Sequence, residues 1–154
     1  MPRRPSTEHA ESSDPVLQFL QTVWQLEHAL ERASKRMEDA LGISGPQRFA
    51  LRIIGARPGI TAGELAGVLH LHPSTVTGIV QRLEGRKLVK RVSNNSDGRV
   101  AHLHLTPAGA KINRPSSKAT IERAARTTLA RTAGAQLRAT TALMGHFTEE
   151  LMKI

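Results

Sequence analysis

The chain has 154 residues, and its 22 Lys and Arg against 13 Asp and Glu give a formal net charge of +9 and a sequence pI near 11.2. That length suits a single domain with a proper core, and the basic balance points to an anionic partner. With no cysteine there are no disulfides, thiolate metal sites or thiol redox sensing, and no apolar run approaches the roughly 20 residues of a membrane span.

The charge is uneven: residues 1–43 sum to −2, residues 44–105 to +6 and residues 106–154 to +5. Basic membrane-surface binders concentrate charge on one helix with a bulky apolar face, and no segment here does so. Residues 1–13 lack the apolar centre of a signal peptide and are expected to be the disordered tail of a cytoplasmic protein, with Arg3 and Arg4 a solvated basic end unless they touch nucleic acid. Asp14 and Pro15 then cap a long helix. Its stripe of Val16, Phe19, Leu20, Val23, Leu26, Leu30, Ala33, Met37 and Leu41 lasts about seven turns before Gly42 stops it. So long an apolar face exceeds what one small domain can cover, so residues 14–43 are expected to pack on a second subunit.

Gly45 and Pro46 open the next helix, whose buried face is expected to be Phe49, Ala50, Ile53 and Ile54, with Arg57, Pro58 and Gly59 closing it. Arg48 and Arg52 are expected on its outer surface, solvated or facing phosphate. Thr61 and Glu64 have the spacing of a capping box, so a short helix starts at Ala62, with Leu65, Val68 and Leu69 on one face, and stops near His70. Pro73 fits the first position of another helix and bars the first from running on. In that second helix Val76, Ile79, Val80 and Leu83 keep helical spacing, while Ser74, Thr75, Thr77, Gly78, Gln81 and Arg82 cover the remaining surface. Such a small, hydrogen-bonding, nearly acid-free face is what major-groove reading requires, although an ordinary amphipathic hairpin also fits.

After Lys87 the pattern changes. Residues 88–93 are short and rich in branched side chains, residues 94–99 form a turn cluster around Asp97 and Gly98, and residues 100–105 alternate. The alternation turns Ala101, Leu103 and Leu105 to the core and Val100, His102 and His104 outward. Thr106 and Pro107 cap a further helix, Pro115 should kink or split it, and Thr132 should cap the last helix, whose stripe is Leu137, Leu143, Met144, Phe147 and Leu151.

Helix, turn, helix and basic hairpin in this order make a winged helix. RLEGRKLVKR, then Asp97 and Arg99, then LTPAG at 105–109 together resemble the MarR family of bacterial transcriptional regulators. The fold expected is mainly α with a small β-hairpin wing: a winged helix-turn-helix lobe at 44–105 and a helical dimerisation region made by 14–43 and 106–154. The resemblance implies a homodimeric repressor on a pseudo-palindromic double-stranded DNA operator, with half-sites about 10 bp apart. Ser74, Thr75, Thr77, Gln81, Arg82 and Arg86 are the DNA-binding candidates of the recognition helix. Arg99 matches the family's wing arginine, suited to a narrow minor groove. Asp97 matches the wing acid that orients it or pairs with Arg86, unless it merely makes the turn.

The family also binds small anionic or phenolic effectors between dimer helices and lobe, where Trp24, His28 and Phe49 are candidates unless they are simply core. His70 with His72 and His102 with His104 suggest a metal-responsive alternative, but no carboxylate or cysteine near in sequence completes either set, so no metal or cofactor is expected. No nucleophile with a base, phosphate loop or convergent carboxylates suggests an enzyme. A protein interaction module without DNA binding is the remaining rival.

Overall fold

The computed structural model describes residues 14–94, 97–115 and 118–154, and at residues 94 and 97–99 the backbone alone. Helix α1 (Pro15–Leu41) begins where the Asp14 carboxylate accepts from the Val16 amide at 2.9 Å, and ends at Gly42 with φ of 72°. That left-handed angle costs a residue without a Cβ nothing. Helix α2 (Gly45–Ala56) follows, then α3 (Ala62–Leu69), α4 (Pro73–Gly85), strands β1 (Val89–Asn94) and β2 (Asp97–Leu105), and helices α5 (Pro107–Asn113), α6 (Thr120–Leu129) and α7 (Gly134–Leu151).

The core lies among α2, α3, α4 and the hairpin. Ile43, Leu51, Ile54, Leu65, Val76, Val80, Leu83 and Leu103 are fully buried there. The recognition-helix spacing thus holds: Val76, Ile79, Val80 and Leu83 face inward. Helix α2 is turned relative to expectation. Ala50 and Ile54 are buried and Ile53 partly so, but Phe49 is 56% exposed and Gln47 and Leu51 take the inner positions. The helical arm, α1 with α5–α7, and the rest of the lobe both pack against α2, so its buried surface is wider than one stripe.

Strands β1 and β2 pair antiparallel from Val89 opposite Leu105 to Ser93 opposite Ala101, with a register shift before Asn94 opposite Asp97. The hairpin is longer than expected, and Asp97 and Gly98 are the first residues of β2, not the centre of the turn. Residues 59–61 join β2 as a third short run: the Gly59 amide donates to the Leu103 carbonyl, and the Leu103 amide to that of Ile60, both at 2.9 Å. This run extends the sheet along the edge of β2, beside His102 and His104, which were expected in solvent. Both are half-buried, and His102 Nδ1 donates to the Gly59 carbonyl at 2.7 Å.

Pro115 does split the C-terminal helical stretch: α5 ends at Asn113 and α6 starts at Thr120. Thr132 does not cap α7. Its hydroxyl donates to the Thr128 carbonyl at 2.8 Å, back onto the preceding turn, and α7 starts behind Ala133 without a side-chain cap. Helix α7 buries none of its residues; Phe147 meets Phe19 of α1 edge-on, with centroids 4.9 Å apart, while Leu137, Leu143 and Leu151 stay exposed. Val16, Leu17, Leu26 and Leu30 of α1 are exposed as well. No helix among the described residues is long and apolar enough to cross a membrane.

Candidate nucleic-acid interface

The face of α4 opposite the core is polar and open. Its N-terminus is built by His72, whose Nδ1 accepts from the Ser74 amide at 3.3 Å and lies 2.7 Å from Ser74 Oγ. Thr77 Oγ1 donates to the Pro73 carbonyl at 2.9 Å and keeps its lone pairs for a further donor. Thr75, Gln81 and Arg82 are exposed and make no side-chain hydrogen bond among the described residues. Of the five candidates on this face, two are thus oriented locally and three are free to reach outward. The one acid of α4, Glu84, is held by Arg91 of β1, whose Nε lies 3.1 Å from both carboxylate oxygens. That pairing removes negative charge from the edge of the face.

Glycine shapes the same surface. A Cβ on Gly78 would meet nothing within 4 Å, so the protein's own packing does not require its absence. Beyond α4, Lys87 adopts φ of +56° and Lys90 is exposed, two cations between helix and wing that sequence reasoning passed over. A positive φ at a residue that is not glycine is the structural signal for Lys87.

Arg86 stands elsewhere than expected. Its guanidinium donates to the carbonyl of Gly42, at the end of α1, and a Cβ at residue 42 would collide with it. The geometry therefore brings Arg86 to the helical arm instead of the open face of α4. Asp97 and Arg99 lie on β2, with side chains outside the described residues, as are Arg3 and Arg4 of the expected tail.

Arg48 is the larger surprise. Expected on the surface, it is 2% exposed. Its Nε donates to Glu122 Oε1 at 2.6 Å, and its Nη atoms donate to the carbonyls of Ile112, Asn113 and Arg114. Arg52 is half-exposed and donates to the Asn113 carbonyl at 2.8 Å. Neither is a free surface cation.

Between arm and lobe lies a crevice of about 1050 Å³, walled by Leu30, Pro46, Phe49, Leu69, Leu71 and Ile121 with charged residues of α1 at its rim. Phe49 is the one effector candidate that lines it. Trp24 is 58% exposed and His28 sits 3.7 Å from Glu27, both on α1 outside the lining. Among the described residues no group of three His, Cys, Asp or Glu is placed to hold a metal.

At the far edge of the lobe the Glu64 carboxylate accepts from the Thr61 amide at 2.8 Å and from its hydroxyl at 2.9 Å. These bonds, the amide's first, hold its pKa below the usual carboxylate range against the opposing desolvation, with further help from His102 and Arg57.

Residues 43–101, from the end of α1 to the middle of β2, match the MarR family. Over that stretch, well under half of the 154 residues, the chain is similar to the family. The match takes in the open face of α4 and the wing as far as residue 101. An uncharacterised HTH-type transcriptional regulator, YsmB of Bacillus subtilis, is 31% identical over 83 residues, which is 54% of this chain and 57% of that one. The HTH-type transcriptional repressor MdtR of the same organism is 34% identical over 68 residues, 44% of each chain. The match therefore spans about half the length of these curated relatives. Among solved structures, the Staphylococcus aureus MepR–DNA complex superposes with a TM-score of 0.71 at 18% identity, covering 86% of this chain and 97% of that one. PcaV of Streptomyces coelicolor, solved with its natural ligand, gives 0.65 at 23% identity, covering 97% and 98%. The fold of these solved structures is thus shared over nearly the whole chain, beyond the residues 43–101 that match the family model.

Proposed function

We propose that the protein is a homodimeric, sequence-specific regulator of transcription that binds double-stranded DNA in the cytoplasm and represses by occupying the promoter. The observation that carries this reading is the α4 face: Thr75, Gln81 and Arg82 project without a side-chain hydrogen bond among the described residues, from a helix whose other side is locked into the core by Val76, Val80 and Leu83. A major groove admits such a helix, and amide and guanidinium groups are the donors that read base edges there. Ser74 and Thr77 add phosphate or base contacts beside them, and Arg99 of the wing enters the minor groove. The lobe is residues 44–105. The exposed apolar residues of α1 and α7 form the dimer contact, because apolar faces of that extent on two neighbouring helices are characteristic of subunit interfaces.

The relatives support the reading in kind: MdtR is a repressor, and MepR was solved on DNA. The crevice walled by Phe49 and Leu71 suits a small, largely apolar effector that releases DNA by favouring one separation of the two lobes. Titrating the full chain onto its own upstream intergenic DNA at two salt concentrations tests the proposal. Binding should weaken steeply with salt, and Gln81→Ala should change base preference. Binding no tighter than to random duplex refutes it and favours a protein interaction module.

A further inference from the structure

Helix α5 ends at Asn113, and Pro115 has no amide hydrogen to give to the Lys111 carbonyl, so the helix does not run on through it. The Arg48 guanidinium caps that end. It donates to the carbonyls of Ile112 and Arg114, the latter at 3.1 Å, and more loosely to that of Asn113 at 3.5 Å. Its other edge grips Glu122 of α6 at 2.6 and 3.3 Å, and Arg126 holds the same carboxylate at 3.3 Å. One side chain of α2 is therefore fixed on both sides of the break in the C-terminal helices. A guanidinium presents its donors in one rigid plane, so this contact sets a direction as well as a distance.

At the other end of the lobe, Arg86 ties the C-terminus of α4 to the carbonyl of Gly42 at the end of α1. The lobe thus meets the arm through arginines at both ends, Arg48 with Arg52 beside it on the α5–α6 side and Arg86 on α1.

We propose that Arg48, with Arg86 as the second fixing point, is a positioning residue that sets the tilt of α4 relative to the arm, and thereby selects operators by the spacing of their half-sites. This rests on the dimeric DNA-binding reading given above. Inserting one base pair between half-sites moves the second by about 3.4 Å and turns it by about 35°. A lobe clamped at one angle cannot follow that displacement, whereas a loosened lobe can.

The test compares the full-length chain with Arg48→Lys, Arg48→Met, Glu122→Gln and the double variant Arg48→Met/Glu122→Leu. Fluorescence anisotropy is read on duplexes from its own upstream site with half-site spacing changed in single base-pair steps. The unmodified protein should lose roughly ten-fold in affinity per step from its best spacing, the order of one mismatched base pair. In Arg48→Met and Glu122→Gln that penalty should fall below about three-fold while the salt dependence keeps its slope, because no phosphate contact has been touched. Arg48→Lys should fall between, since an ammonium cannot fork. The double variant replaces the pair by apolar groups, which buried sites often tolerate, so a folded protein with a flat spacing profile remains available if the single variants misfold. Variants that keep the original spacing profile overturn the assignment even if overall affinity drops. Failure of the unmodified chain to bind any of the duplexes overturns the DNA-binding reading and this inference together.

Discussion

Gly109→Ala sets two physical effects of opposite sign against each other. The residue lies in the first turn of α5, its amide donating to Thr106 Oγ1 at 3.0 Å. Helix propensity alone makes alanine better by up to about 1 kcal/mol. Yet a Cβ there would run into the Leu88 carbonyl oxygen, backbone against backbone with no flexible side chain to yield. Relief requires the start of α5 to move away from the start of β1. That motion strains the bond from the Thr106 amide to the Leu88 carbonyl at 3.0 Å and that from the Thr106 hydroxyl to the Lys87 carbonyl at 2.6 Å. Overpacking costs about 1–3 kcal/mol and each weakened hydrogen bond about 1, so after the propensity gain a net loss of about 2–4 kcal/mol is expected. Urea unfolding followed by circular dichroism, at one fixed protomer concentration, measures it. Gly67→Ala is the control, because its Cβ would meet nothing within 4 Å and should stabilise α3 slightly. If both variants shift the midpoint in the same direction, the close approach of α5 to β1 is not real.

Gly78→Ala should raise the unfolding free energy by about 1 kcal/mol yet weaken operator binding, since a methyl group then stands where the helix meets the groove; unchanged affinity would show that the gap is unused. Lys87→Gly removes a positive-φ side chain at φ of +56° and should stabilise the fold by about 1 kcal/mol. If the Lys87 cation meets phosphate, the same change lowers the salt slope of binding by about 1, and an unaltered slope places it off the DNA. The lowered pKa of Glu64 means that the folded state favours its charged form, so its contribution is complete above the usual carboxylate range and lost as pH falls through the lowered value. The stability difference between the unmodified chain and Glu64→Ala should therefore close on acidification, and a gap independent of pH would contradict the cap.

The features legible in the sequence are those written in neighbouring residues. The Thr61–Glu64 box, Pro73 at the head of α4, the inward set Val76, Ile79, Val80 and Leu83, and the break at Pro115 each depend on residues a few places apart, where backbone geometry leaves one arrangement. The open polar face of α4 follows from the same periodicity. Tertiary structure decided which surface of α2 is covered, leaving Phe49 out and Leu51 in, because that depends on which elements pack beside it. It set residues 59–61 against the edge of β2, where the Gly59 carbonyl takes the His102 side chain, which no alternation along one strand can reveal. Above all it decided the arginines. Arg48 and Glu122 are 74 positions apart, and Arg86 and Gly42 are 44 apart. A long flexible cation is equally at home in water or on a distant carbonyl, and only the packed chain brings the carbonyl to it.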